Sequence, residues 1–260
     1  PATTETDNNN NRRQRTHSSH TMTISAATTT DTTTTTEATM MPPTTTTTTE
    51  EETTAVLPLA PLKIQTSPTQ FLDALKESEQ IAGIFLRRQF LSSQEADAAF
   101  SVLNDDKHFP WDHNPVLFGE ALTQHAYYYE RNGNPNEYAG IDLIESLCTR
   151  IETLYDGKIS DVFCNRFHHV KHNIGWHRDT YGEHILVLSL GSRRNIQFRK
   201  RQLFGKREVV TVRPNAGDIY FMPLQLNKTH MHRVCKANPI DQDDGPRISL
   251  VFFIQAPKYA

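Results

Sequence analysis

The chain has 260 residues, of which 27 are Lys or Arg and 30 are Asp or Glu, for a formal net charge of −3. No apolar run approaches the roughly 20 residues that a membrane-spanning helix needs, so the sequence predicts a soluble protein. Three cysteines, Cys148, Cys164 and Cys235, are too few and too widely spaced for a disulfide framework. We therefore expect reduced thiols and an intracellular protein of the nucleus or cytoplasm.

The start of the chain differs in composition from the rest. Residues 1–66 hold four Lys or Arg and seven Asp or Glu, which leaves 23 of each sign in residues 67–260. Residues 1–56 are rich in Asn and Thr and have almost no large apolar side chains, so they bury too little surface to offset the entropy cost of ordering. We predict a disordered tail over residues 1–56 and one domain over residues 57–260.

Two helices are predicted before residue 158. Ser92-Ser93-Gln94-Glu95 has the S-x-x-E form of a capping box, which opens a helix with an apolar stripe. A second helix is predicted over about 140–155, where apolar residues recur at helical spacing. Both are predicted to pack against a sheet rather than to carry function.

After residue 158 the pattern changes to short strands separated by Gly, Asn and Pro. The predicted strands are 160–167, 184–190, 195–200, 208–213, 217–222, 229–235 and 247–254. A run of strands without helical periodicity between them, after two helices, predicts an α+β fold. Its form is an antiparallel β-sandwich or jelly roll with N-terminal packing helices.

A candidate metal site lies within these strands. His177 and Asp179 form an H-x-D motif before the strand 184–190, and they can offer one nitrogen and one oxygen to a metal ion. A second source of imidazole follows at His230 and His232, which share a strand face, so alternation does not separate them. Two histidines and one carboxylate leave three positions of an Fe(II) octahedron open for a bidentate cosubstrate and O2. Zinc can use the same ligands.

Arg247 opens the last predicted strand and gives the site a second component. A guanidinium there can hold a remote carboxylate of the cosubstrate by a bidentate ion pair. Ser249 lies two residues on, on the same strand face, and can add a hydroxyl donor. An arginine in this position favours iron over zinc.

These residues resemble the Fe(II)/2-oxoglutarate oxygenase superfamily and, within it, the AlkB-type nucleic-acid dealkylases. Asn165-Arg166-Phe167 is similar to the N-x-Y strand of that family, and Ile174–Asp179 is similar to its H-x-D strand. The resemblance implies a double-stranded β-helix, which is a form of jelly roll. It also implies an oxidoreductase that uses Fe(2+), 2-oxoglutarate and O2.

The resemblance further implies roles for single residues. His177, Asp179 and a distal histidine would hold the iron ion, while Asn165 and Arg247 would bind 2-oxoglutarate. The family's ligand precedes a basic or small residue and then an aliphatic one, which favours His232 over His230. The implied reaction is oxidative dealkylation of N-alkylated bases, of the kind used in DNA repair.

The chain departs from the family pattern at two positions. Phe167 stands where the family has a tyrosine, and Phe253 stands where the closing R-x-N-x-T-x-R pattern has its second arginine. Both departures suit a less polar pocket. They favour a hydroxylase or oxidative cyclase that acts on a small molecule or a protein side chain. A catalytically degenerate binding module is a further alternative.

Several residues are candidates for contact with DNA or RNA. Residues 192–213 contain eight positive side chains and one negative side chain, Glu208. This segment can contact phosphates, or it can form a hairpin whose charges face solvent. The eight are Arg193, Arg194, Arg199, Lys200, Arg201, Lys206, Arg207 and Arg213. Arg193 and Arg194 are the predicted substrate contacts among them.

Aromatic residues are the other candidates, because an enzyme that acts on a base must hold it outside its stack. Tyr127 and Tyr129 share a strand face and would stack on a flipped base, or would form part of the wall. Trp176, beside His177, would either contact substrate or pack against the sheet. The predicted protein is a monomer.

Overall fold

The computed structural model describes residues 78–117, 119–131, 137–155, 157–179, 184–201, 208–238 and 245–255. The predicted tail lies outside the described residues, as do Lys206 and Arg207 of the basic segment.

The two predicted helices are present. Helix α1, Ser93–Asn104, begins at the predicted capping box. The Ser92 hydroxyl accepts from the Glu95 backbone N–H at 3.3 Å, and the Glu95 carboxylate accepts from the Ser92 N–H at 2.8 Å. Helix α2 spans Ala139–Tyr155, and a short helix, α3, spans Leu224–Thr229. None of the helices in the described ranges is both long and apolar enough to cross a membrane.

Thirteen strands are present in the described part of the chain. They are β1 Glu79–Ile81, β2 Ile84–Arg87, β3 Val116–Leu117, β4 Glu120–Ala121, β5 His125–Glu130, β6 Lys158–Phe167, β7 Ile174–His177, β8 His184–Gly191, β9 Ile196–Lys200, β10 Val209–Val212, β11 Ile219–Met222, β12 His230–Val234 and β13 Arg247–Gln255.

Two antiparallel sheets contain most of these strands. The major sheet has the order β1-β2-β11-β8-β13-β6-β5, and the minor sheet has the order β10-β9-β12-β7. Strand β13, the last of the described strands in sequence, therefore lies in the middle of the major sheet, between β8 and β6. All seven predicted strands after residue 158 are present, with bounds that differ by at most two residues.

The two faces of the major sheet pack against different layers. The helix face packs on α1 and α2 through residues such as Cys164, Leu188 and Leu250. The inner face packs on the minor sheet, where Val187 and Tyr220 meet Phe198. This helix-backed pair of sheets is the jelly roll that the strand pattern predicts, so the predicted fold class is confirmed.

A group of histidines surrounds one end of β5. The His125 ring centroid lies 4.3 Å from that of His113, 5.7 Å from that of His172 and 6.1 Å from that of His168. Arg166 donates from Nε and Nη2 to Nδ1 of His125, at 3.2 and 2.9 Å. Burial, then the charge of Arg166 and of the neighbouring histidines, lowers the pKa of His125 from 6.5 to about 4.

This shift predicts a loss of stability in acid. Between pH 6.5 and about 4 the unfolded chain binds a proton at His125 that the folded chain does not. The free energy of unfolding therefore falls as the pH falls through that window. His125→Gln keeps an acceptor for Arg166 and removes the titration, so its unfolding temperature should depend less on pH between 6.5 and 4. His108→Gln, at an exposed histidine, should keep the wild-type slope; equal slopes in all three proteins would contradict the assignment.

Candidate metal centre

Strands β7 and β12 bring the three predicted metal ligands together. The antiparallel register places His232 opposite His177, and their ring centroids lie 4.1 Å apart. Nε2 of His232 lies 3.4 Å from Oδ2 of Asp179, and Nε2 of His177 lies 3.9 Å from Oδ1. One ligand atom from each residue lies within 4.8 Å of the others. No other group of three or more His, Cys, Asp or Glu in the described ranges meets this criterion.

His177 is held in the form that binds a metal. Its Nδ1 lies 2.8 Å from the carbonyl oxygen of Gly175. A carbonyl only accepts, so Nδ1 carries the proton and donates. The lone pair is then on Nε2, the nitrogen that faces Asp179.

Asp179 is positioned through its backbone. The Asn227 side chain in α3 accepts from the Asp179 N–H at 3.3 Å and donates to the Asp179 carbonyl at 3.0 Å. Asn227 is itself buried. This two-way contact holds the carboxylate beside the imidazoles without a bond to the carboxylate itself.

Burial acts on the ligands in the direction that a cation would offset. Burial raises the pKa of Asp179, although the charge of His177 acts in the opposite direction. Burial also lowers the pKa of His232, and the charge of His177 lowers it further. Nδ1 of His232 has no hydrogen-bond partner in the described part of the chain. A half-buried carboxylate beside two imidazoles fits a divalent transition metal, whose charge would stabilise the ionised acid and the neutral rings.

His230 lies apart from this group. It stands opposite Lys200 on β9, and its Nδ1 contacts the Thr229 hydroxyl at 2.9 Å. Of the two histidines that alternation leaves equivalent, the structure brings His232 to His177 and Asp179.

A buried arginine faces the same space from the major sheet. Arg247 is fully buried, and its Cζ lies 5.3 Å from the ring centroid of Phe167. Its Nη2 donates to the Ser189 hydroxyl at 3.0 Å, while Nε and Nη1 have no partner among the described residues. Burial lowers the pKa of Arg247 to about 10, so it remains charged at neutral pH. A buried cation with two unmet donors fits a carboxylate ligand.

Polar side chains extend this pocket along the inner face. Ser249 lies opposite Asn165 on one side and Ser189 on the other, and all three are buried. Gln124 donates from Nε2 to Oδ1 of Asn165 at 3.0 Å. The sequence interpretation missed Gln124 because it lies before β5 and belongs to no motif.

Tyr220 and Asn227 were also missed. Tyr220 lies on the inner face of the major sheet. Burial raises the pKa of its phenol, the charge of Arg247 acts against this rise, and the charge of Asp179 adds to it. The phenol therefore lies within electrostatic reach of both the metal ligands and the buried arginine. The turn and strand at residues 217–222 were predicted, but nothing in that pattern marks Tyr220 as part of a site.

Of the two roles predicted for Tyr127 and Tyr129, the structure favours packing in the wall over stacking on a base. They do share a face, but it is the helix face, because they stand opposite Cys164 and Val162. Tyr127 packs edge-on against Phe109 at 5.1 Å, and buried Tyr129 donates to Glu145 on α2.

Tyr128, between them, lies on the inner face. It stands opposite Phe163, with ring centroids 6.4 Å apart, and is 43% exposed.

Of the two roles predicted for Trp176, the structure favours packing against the sheet, and it places the predicted substrate contact Arg194 in the interior. Trp176 lies on the outer face of the minor sheet, with the Cζ atoms of Arg199 and Arg233 at 4.1 and 4.6 Å from its ring centroid. Arg194 is only 1% exposed and donates to the Val170 carbonyl at 3.3 Å, so it does not present its charge to solvent. Arg193 is exposed, and its contact with substrate stays a prediction.

Comparisons with known proteins agree with this geometry. Residues 159–256 match the family model of the 2OG-Fe(II) oxygenase superfamily. A search of curated proteins found no significant match.

The chain also matches solved structures at low sequence identity. OsALKBH1 is 13% identical, with a TM-score of 0.48 over 68% of this chain and 100% of that chain. An oxidoreductase of the 2OG-Fe(II) oxygenase family from Burkholderia pseudomallei is 14% identical, with a TM-score of 0.47 over 74% and 93%. A prolyl hydroxylase in complex with a hypoxia inducible factor oxygen degradation domain peptide fragment, from Trichoplax adhaerens, is 14% identical, with a TM-score of 0.46 over 71% and 88%.

The family match and the group of two imidazoles and one carboxylate lead to the same conclusion. Residues 159–256 match a 2OG-Fe(II) oxygenase superfamily domain, and the protein is a dioxygenase that uses Fe(2+), 2-oxoglutarate and O2.

Proposed function

We propose that this dioxygenase removes alkyl groups from the nitrogen atoms of nucleic-acid bases, and that His177, Asp179 and His232 hold its iron ion. Tyr128 carries the proposal for the substrate class. It is an exposed aromatic ring on the same sheet face as the cosubstrate pocket. A flat ring in that place suits a base held outside its stack.

The iron ion and 2-oxoglutarate supply the oxidising chemistry. When bound, they activate O2 so that 2-oxoglutarate loses CO2 and becomes succinate while one oxygen atom is inserted into a C–H bond of the substrate. If that bond belongs to an N-methyl group, the hydroxylated product separates into formaldehyde and the free amine.

The chain's own residues orient the reactants and exclude water. Arg247 has two unmet N–H donors that would bind a carboxylate of 2-oxoglutarate, and buried Ser249 and Asn165 lie beside it on the inner face. The Phe167 ring stabilises the Arg247 guanidinium by a cation–π contact. In such a water-poor site, the attraction between the guanidinium and a carboxylate is stronger than in solvent.

Charge on the minor sheet also supports a nucleic-acid substrate. The four strands β7, β9, β10 and β12 contain Arg199, Lys200 and Arg233 and no Asp or Glu. The sheet that carries two of the proposed iron ligands is therefore cationic, which favours the approach of a phosphate backbone.

A second candidate reaction is hydroxylation of a cationic side chain of a protein or of a cationic small molecule. Asp161 and Glu130 stand opposite each other on β6 and β5, one step along the inner face from Phe163 and Tyr128. Two carboxylates in that place repel phosphate and attract a positive group. Phe253, which stands opposite Asp161, is buried in the core between the sheets.

The proposed ligand set predicts loss of both metal and turnover. His177→Ala or Asp179→Ala should reduce iron-dependent conversion of 2-oxoglutarate to succinate to background, because two ligands hold the ion far less tightly than three. Metal content after dialysis against a weak chelator should fall in parallel. Asp97→Ala, at an exposed carboxylate of α1, is the control. Full turnover in either ligand variant would remove that residue from the set.

A paired comparison tests the choice between the two distal histidines. His232→Ala should abolish succinate formation, because its Nε2 lies beside Asp179, whereas His230→Ala should keep most of it. Iron binding by the two variants gives a readout that does not require turnover. Loss of iron in His230→Ala with retention in His232→Ala would reverse the assignment.

Formaldehyde release from N-methylated DNA and RNA oligonucleotides tests the substrate class. We expect release by the wild-type protein. In Tyr128→Ala we expect a rise in KM for the oligonucleotide of about 5- to 100-fold, since stacking of one base is worth roughly 1–3 kcal/mol. Tyr127→Phe, on the other face, is the control. Succinate formation without formaldehyde from any oligonucleotide, together with hydroxylation of a basic peptide, would favour the second candidate.

A further inference from the structure

We propose that Gln124 is a positioning residue that orients the amide of Asn165, so that the Asn165 amino group faces 2-oxoglutarate. The proposal rests on the proposed function in one respect: it takes Asn165 as part of the cosubstrate pocket. In the part of the chain that the structure describes, Gln124 makes no hydrogen bond to the metal ligands or to Arg247. It acts through Asn165.

The contact between the two amides sets a direction. Nε2 of Gln124 can only donate, and it lies 3.0 Å from Oδ1 of Asn165. The oxygen end of Asn165 is thereby engaged, and its amino end points away from Gln124. Within the described residues Gln124 is the one side chain that contacts this amide by a hydrogen bond. Without Gln124, no side chain described in the structure would hold the Asn165 amide in one of its two orientations by a hydrogen bond.

The orientation matters because a carboxylate only accepts hydrogen bonds. Arg247 and Ser249 offer N–H and O–H donors on the inner face beside Asn165. Phe167, two residues after Asn165, offers none. An Asn165 amide turned the other way would direct its carbonyl oxygen at the carboxylate, which replaces attraction by repulsion.

Gln124 is held firmly enough to act in this way. Its side chain is only 2% exposed, so the surrounding residues leave it little room to move. Its neighbour Thr123 donates to the Asn173 carbonyl at 2.8 Å and accepts from the Asn173 N–H at 3.1 Å. On its other side the chain enters β5, where Ala126 exchanges two backbone hydrogen bonds with Asp112. The backbone around Gln124 is therefore tied at both ends.

The test measures binding of 2-oxoglutarate to Mn²⁺-loaded protein by titration calorimetry, which needs no turnover. Gln124→Leu should raise the Kd about fivefold, the size expected for one neutral hydrogen bond. Gln124→Glu should raise it further, because a carboxylate only accepts and turns the Asn165 amide around. Gln94→Leu, at an exposed glutamine of α1, should leave the Kd unchanged.

A double-mutant cycle separates positioning from general damage. In an Asn165→Leu background, Gln124→Leu should have no further effect on the Kd, since the amide that it orients is gone. Additive effects of the two changes would overturn the proposal. So would an unchanged Kd in Gln124→Leu, or a Kd that rises only as the unfolding temperature falls.

Kinetics add a readout that a purely structural role would not give. Gln124→Leu should raise KM for 2-oxoglutarate, in succinate formation without a second substrate, and leave kcat within about twofold. An equal fall in kcat would contradict the proposal. Failure of the proposed function has a different signature: 2-oxoglutarate binding responds to Gln124, but no methylated oligonucleotide releases formaldehyde.

Discussion

Antiparallel pairing of β7 with β12 determines where both imidazoles lie, because it sets His177 directly opposite His232. Side chains alternate between the faces of a strand, so a shift of one residue in β12 would turn Met231 or Arg233 inward in place of His232. The core specifies this register. Val234 and Phe198 are buried between the sheets, whereas Arg199 and Arg233 cover Trp176 on the outside.

Two desolvated polar groups face one space from opposite sheets. The minor sheet contributes two imidazoles, the segment after β7 contributes the Asp179 carboxylate, and the major sheet contributes the Arg247 guanidinium. Neither group is balanced by the folded chain alone, since Arg247 keeps two unmet donors and His232 keeps an unmet ring nitrogen in the described residues. The free protein is thus arranged for a cation at one end of the space and an anion at the other. Buried groups of this kind lower stability until a ligand satisfies them.

The fold class, the strands after residue 158 and the pair of His177 and Asp179 could be predicted from the sequence, because short motifs and period-two alternation are local signals. Alternation left His230 and His232 equivalent, and the family resemblance favoured His232. Alternation also showed that Tyr127 and Tyr129 share a face, but pairing with β6, more than thirty residues away, decides which face that is. Burial of Arg194 likewise depends on a distant residue, because its guanidinium donates to the carbonyl of Val170. Gln124 and Asn227 act through single contacts with distant residues, and no pattern in the sequence marks such contacts.

The central place of β13 in the major sheet has a consequence for folding. This strand pairs with β6 on one side and β8 on the other, and it brings Arg247 and Ser249 with it. Until it is added, β6 and β8 each present an open edge, and the sheet remains in two parts. Most of the domain must therefore wait, during synthesis or refolding, for residues 247–255. High contact order of this sort slows folding and makes formation of the cosubstrate pocket one of the last steps.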